Sequence, residues 1–245
     1  MSPGFFQGLG FPWLCGTLRT MSFRTPILIT NFKAYKQATG ANAVALAKEH
    51  ERLTRELGVY LAISAQAMDL AMLAAAVSIP VLAQHVDGGG YGPYTGAVPV
   101  EIAHAMGVDG SMLNHSERRI ADSQIQIALE DLKRMQMLSL VCAENVEEGH
   151  RYAQMGADFV AVEPPELIGG AVSVSSAKPE LIRDAVAAIG PGKVIVGAGV
   201  RTGGDVRIAL ELGAAGVLVA SGVVCAPDPV AALRDLCEGI LAARL

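Results

Sequence analysis

The stretch "KVIVGAGVRTGGDVRIALELGAAGVLVASGVV", residues 193–224, decides the fold. An aliphatic run (193–198) gives way to glycines, then to residues 204–212 with apolar side chains at helical spacing. Gly213 follows, and a second aliphatic run (216–220) closes the segment. Short, continuously apolar runs are what strands covered on both faces look like, which is the condition of a parallel sheet. Gly213 supplies the stop that a helix C-terminus favours. The whole reads as one strand–helix–strand crossover joining two parallel strands.

The same unit recurs from Pro26 onward. Further strand candidates are 27–30, 60–64, 81–84, 110–114, 138–143 and 159–163. Helical patterns fill the intervals at 42–56, 67–76, 99–106, 120–135, 145–155 and 177–188, and a last one covers 228–243. Gly58, Gly107 and Gly156 repeat the stop seen at Gly213. Eight units in about 220 residues predict an α/β protein, a single-domain (β/α)8 barrel. An open doubly wound sheet fits less well. There is no second domain, and "TNFKAYKQATG" (30–40) stands where a Gly-rich dinucleotide turn would follow the first strand.

Bulk properties exclude several function classes. Of 245 residues, 51% are hydrophobic and 18% charged, and the net charge of −5 offers nothing to nucleic acid or anionic lipid. Charges and prolines interrupt every apolar run before the roughly 18 residues a spanning helix needs, so a soluble, cytoplasmic protein is expected. Cys15, Cys142, Cys225 and Cys237 are far apart, and the histidines are dispersed; the pattern predicts free thiols and no metal site. Residues 1–20 hold the only Trp and three of the six Phe, with Arg19 as their sole charge. A second Met-Ser follows, so Met21 is expected to be the true or functional start, residues 1–20 an appendage or a mis-called start, and 21–245 the barrel domain.

In such a barrel the C-terminal strand ends face the catalytic mouth. Those positions hold Asn31 and Lys33 after the first strand, and "NHSERR" (114–119) after the fourth, with His115 and Glu117 within it. Glu163 ends the sixth strand, and "GAGV" (197–200) and "ASGVV" (220–224) end the last two. Taken singly, Lys33 reads as a solvated loop lysine, His115 as a helix cap, and the Glu117–arginine cluster as a surface ion-pair group. Glu163 could cap a turn, but Pro164 and Pro165 offer it few backbone donors. Together these groups suit proton transfer beside a carbonyl, with a carboxylate base, a neutral imidazole and an ammonium for the enediolate. Gly-rich turns opposite can present N–H groups to a phosphate, and Ser221 adds a hydroxyl.

With "NFK" (31–33), "NHSERR" (114–119), "AVEPPELIG" (161–169), "GAG" (197–199) and "LVASGVV" (218–224) in register, the chain resembles the triosephosphate isomerases, in particular their compact archaeal-type form. That resemblance implies a TIM barrel interconverting dihydroxyacetone phosphate and D-glyceraldehyde 3-phosphate without cofactor or metal, in glycolysis and gluconeogenesis. Triosephosphate isomerases are themselves the reference case for the roles it assigns. Glu163 is then the base, and His115 the electrophile, kept neutral by the helix that follows it. Lys33 stabilises negative charge, with Asn31 beside it. Glu117 orients Lys33, and Cys142 packs behind the base. Ile168, Gly169, Gly199, Ala220, Ser221 and Gly222 surround the phosphate. The segment from Pro164 to Ala171 is a mobile lid stiffened by its two prolines, in which Gly170-Ala171 replaces the usual Thr-Gly. The resemblance also implies a homo-oligomer, a tetramer or dimer, in which the long loop 83–99 braces a neighbouring subunit.

Two rivals stay open on sequence alone. One is a different sugar-phosphate barrel enzyme, an epimerase or an aminoaldose isomerase; a metal-dependent epimerase would require His and Asp ligands at several strand ends, and these are missing. A non-catalytic barrel retained for binding would not require Lys33, His115 and Glu163 together.

Overall fold

The computed structural model describes residues 23–163 and 178–244. The expectations for residues 1–20, for the 164–171 segment, and for Ile168 and Gly169 within it, fall on residues outside those described.

Eight parallel strands close into a barrel, each paired with the next and the eighth with the first. They are β1 (Ile27–Asn31), β2 (Tyr60–Ala65), β3 (Val81–Ala83), β4 (Gly110–Leu113), β5 (Leu138–Ala143), β6 (Phe159–Val162), β7 (Val194–Val196) and β8 (Gly216–Val219). The helices between them are α1 (Ala41–Leu57), α2 (Leu70–Ala76), α3 (Val100–Ala105), α4 (Asp122–Arg134), α5 (Val146–Gln154), α6 (Pro179–Ile189) and α7 (Gly203–Glu211). After β8 come the one-turn α8 (Ser221–Val224) and then α9 (Pro229–Ala242). The sequence pattern locates every strand to within about two residues, and it misses α8, which is too short to show a period.

The strand sequences read as continuous apolar runs because each side chain is buried whichever way it points. Ile29, Leu82, Met112, Leu140, Ala161, Ile195 and Leu218 fill the barrel interior. Their alternate neighbours, such as Ile63, Val141, Val160 and Leu28, pack outward under the helices. The helix-stop glycines Gly58, Gly107, Gly156 and Gly213 have φ of 65°, 81°, 102° and 98°, the left-handed region that residues with a Cβ avoid.

Two features of the helix layer bear on the mouth. His50 on α1 is fully buried, with its Nδ1 2.8 Å from the Leu46 carbonyl and its Nε2 2.8 Å from Thr30 Oγ1 on β1. The carbonyl can only accept, so Nδ1 carries the proton and Nε2 accepts from the Thr30 hydroxyl. Burial lowers this imidazole's pKa to about 4. On the far side, α7 and α9 cross where Gly203 meets Gly239, and Asp235 Oδ2 accepts the Gly203 N–H at 2.8 Å. A Cβ on Gly239 would overlap the Gly203 carbonyl. Gly239→Ala is therefore expected to cost about 2 kcal/mol of stability. Urea unfolding should show the loss as a lower midpoint at unchanged slope.

Candidate active site

The alternation of β6 aims Glu163. Phe159 and Ala161 face the barrel interior, so the residue two further on points the same way, into the mouth. Its N–H continues the strand ladder to the Ala143 carbonyl at 2.8 Å, which fixes that direction. The carboxylate lies over Gly197, just past β7. A Cβ there would stand 2.5 Å from Glu163 Oε1. Gly197 is thus a glycine because the carboxylate occupies the space of its side chain.

This carboxylate is almost dry. Glu163 is 5% exposed, and its Oε2 has no hydrogen-bond partner among the described residues. Desolvation pushes its pKa up to about 7, against opposing contributions from the Cys142 thiol hydrogen bond and the Lys33 charge. Cys142, on β5, is itself buried, and burial with the adjacent carboxylate pushes its thiol well above its ordinary value. It is a neutral donor behind Glu163.

β4 delivers the imidazole through a turn that Asn114 holds. Asn114 has φ 59°, and its amide donates to the Cys142 carbonyl and to Tyr152 Oη, both at 3.1 Å. Its Oδ1 accepts the Ile120 N–H at 3.0 Å, closing the loop between β4 and α4. His115 Nδ1 accepts the Glu117 N–H at 3.1 Å, so the neutral ring carries its proton on Nε2. That nitrogen lies 3.8 Å from Glu163 Oε2. Burial first, then the Lys33 charge, lower the His115 pKa, with Glu117 pulling weakly the other way. α4 begins only at Asp122, after an intervening turn, and the causes that lower the His115 pKa are burial and then the Lys33 charge.

β1 supplies the cation. Lys33 sits at φ 45°, with its N–H donating to Asn31 Oδ1 at 2.9 Å and its Nζ 2.6 Å from Glu117 Oε1. Because Glu117 is 60% exposed, solvent screening leaves this pair little to add to the stability of the fold.

Gly199, Ala220, Ser221 and Gly222 line the same pocket as Asn31, Lys33, His115 and Glu163. Gly199 has φ 71°, turning the chain after β7, and α8 starts at Ser221, where its first N–H groups lack intrahelical acceptors. Tyr35 and Arg201 also line the pocket, and strand-end reading did not select them because they lie beyond the strand termini. Gly197 and Asn114 lie inside the quoted motifs, but only the packing shows their purpose. Among the described residues, no three His, Cys, Asp or Glu side chains converge as metal ligands.

A family model described as triosephosphate isomerase matches residues 26–238. The chain belongs to the triosephosphate isomerase family. It is 46% identical over 215 residues to the triosephosphate isomerase of Methanothermus fervidus, a match covering 86% of this chain and 97% of that protein. The enzyme of Methanothermobacter thermautotrophicus is 45% identical over 216 residues, covering 86% and 94% respectively. That of Archaeoglobus fulgidus is 43% identical over 214 residues, covering 86% and 96%. The crystal structure of triosephosphate isomerase from Bartonella henselae superposes with a TM-score of 0.67 over 91% of this chain and 99% of that one. Its 17% identity makes that likeness one of fold.

The packing of Glu163 on Gly197 gives a direct test. Gly197→Ala should displace the carboxylate and lower kcat roughly 100-fold, the scale expected for a misplaced reacting group. Circular dichroism should still show the native fold.

Proposed function

We propose that this chain interconverts dihydroxyacetone phosphate and D-glyceraldehyde 3-phosphate, with Glu163 as base, His115 as neutral electrophile and Lys33 as the fixed cation. The observation that carries the reading is a buried carboxylate, one oxygen of which has no partner among the described residues and lies 3.8 Å from Nε2 of a neutral imidazole.

The chemistry follows from these positions. Glu163 takes a proton from C1 of dihydroxyacetone phosphate, and the electron pair moves through C1–C2 onto the C2 oxygen. His115 Nε2–H donates to the oxygen that gains charge, and Lys33 lowers the energy of the enediolate electrostatically. Glu163, now protonated, returns the proton to C2, while the imidazole relays one between the two oxygens. No net proton or electron is consumed. A base with a pKa of about 7 suits both halves, because it is strong enough to accept and acidic enough to return the proton. Gly199, Ala220, Ser221 and Gly222 would hold the phosphate, joined by Ile168 and Gly169, which lie outside the described residues, and Asn31 would be the polar neighbour of Lys33. Glu117 would hold Lys33 in register, and Cys142 would fill the space behind the base.

Supporting a homo-oligomer, Tyr91 and Tyr94 in the 83–99 loop are 69% and 51% exposed, and Met68 beside α2 is 89% exposed. A second copy of the chain covering these residues would account for so much apolar surface, as dimer or tetramer. No described helix is long and apolar enough to cross a membrane, which is compatible with the proposed cytoplasmic location.

Coupling glyceraldehyde 3-phosphate formation to a dehydrogenase tests the assignment. Wild-type protein should turn over, and Glu163→Asp, whose carboxylate is withdrawn by one methylene, should lose about 100-fold in kcat. A wild type without turnover would overturn the assignment; an unimpaired Glu163→Asp would remove Glu163 as base. The base must be ionised, so kcat/KM should fall tenfold per unit as pH drops below about 7. That profile is read after correction for the substrate phosphate, which titrates near about 6. Sedimentation of Tyr94→Asp should show a smaller species than the wild type if the loop lies between subunits.

A further inference from the structure

We infer that Gln84, at the end of β3, is a positioning residue that holds Lys33 in its reactive place. The inference rests on the proposed function, and it concerns a residue that touches none of the reacting atoms.

Lys33 stands in the left-handed region, which costs a residue with a side chain roughly 1–2 kcal/mol relative to ordinary backbone. Such a conformation persists only where neighbours over-determine it. One restraint is local: the Lys33 N–H donates to Asn31 Oδ1 at 2.9 Å. The other comes from β3, two strands along the barrel wall. Gln84 Nε2 donates to the same Asn31 Oδ1 at 3.0 Å and to the Lys33 carbonyl at 3.1 Å. It also lies 3.5 Å from the Ser64 carbonyl on β2. The Gln84 backbone is fixed in turn, its N–H donating to the Ala65 carbonyl at 3.2 Å.

The orientation of the amide is forced by its partners. The Lys33 and Ser64 carbonyls can only accept, and Asn31 Oδ1 is identified as oxygen because a backbone N–H donates to it. An NH2 group must therefore face this cluster. Rotating either amide would set oxygen against oxygen or leave the Lys33 N–H without its acceptor. A glutamine is thus required by chemistry as well as by shape: glutamate has the same outline and no donor.

The geometry also explains how the ammonium is aimed. Gln84 and Asn31 grip the Lys33 main chain on both sides, N–H and carbonyl, while Glu117 holds Nζ at 2.6 Å. Released at the carbonyl, the residue can relax to a negative φ, which redirects its Cα–Cβ bond and carries the charge away from the pocket.

A double-mutant cycle separates this role from a merely structural one. The variants are Gln84→Glu, which keeps the shape, and Gln84→Met, which keeps the length, each made in wild type and in Lys33→Ala. Binding of glycerol 3-phosphate, an unreactive analogue, is followed by 31P NMR titration. With Lys33 present, both variants should weaken binding about tenfold and raise KM correspondingly. With Lys33→Ala they should change affinity less than twofold, because the group they act through is gone. Equal weakening in both backgrounds, or none in either, would overturn the inference. So would loss of the native fold in both variants, which would make Gln84 a support of the barrel itself. Absence of turnover in the wild type would instead defeat the functional reading.

Discussion

A carboxylate held out of water governs this molecule. Glu163 gives up hydration for a place over Gly197, against Cys142 and opposite His115, and that desolvation raises its pKa to about 7. Leaving such a group under-solvated is costly, and the rest of the barrel must tolerate that cost. The continuous apolar strands supply the necessary rigidity, since both faces of every strand are packed. The alternation of β6 then converts rigidity into aim. A one-residue slip would turn the carboxylate outward, under the helices.

The other reactive groups are reached by bending the chain and not by extending a strand. Lys33 and Asn114 both occupy the left-handed region, and both are next to residues whose side chains enter the pocket or are themselves such residues. Each is secured by amide hydrogen bonds from elements distant in sequence: Gln84 for the first, and Asn114's own contacts with β5, α5 and Ile120 for the second. Local strain at the mouth is thus matched by long-range hydrogen bonding, which keeps His115, Lys33 and Glu163 in mutual register.

Much of this was legible in the sequence, for identifiable reasons. Parallel strands covered on both faces leave an unmistakable apolar run, and a strand-end carboxylate followed by two prolines has few structural explanations. His115 and Lys33 could be placed because barrel strand ends converge. Gly197 was quoted within "GAGV", but its role depends on a side chain from another strand and has no local signature. Gln84 satisfies the same strand-end criterion as Asn31, but the amide's partners lie on β1 and β2 and leave no local signature. The pKa of His115 is lowered by burial first and then by the charge of Lys33, which comes from another strand end, so its causes become visible only in three dimensions.

His50 ties α1 to β1 through Thr30, the residue immediately before Asn31. Its folded-state pKa of about 4 lies below the ordinary value of 6.5, so the unfolded chain takes up this proton first. The stability that the neutral ring confers is therefore complete above about 6.5 and drains away as pH falls toward 4. Acid thus attacks the seam directly beneath the segment that carries the cation. That loss sets in just below the pH at which protonation of Glu163 already removes the base, so falling pH takes the chemistry first and then the tie between α1 and β1.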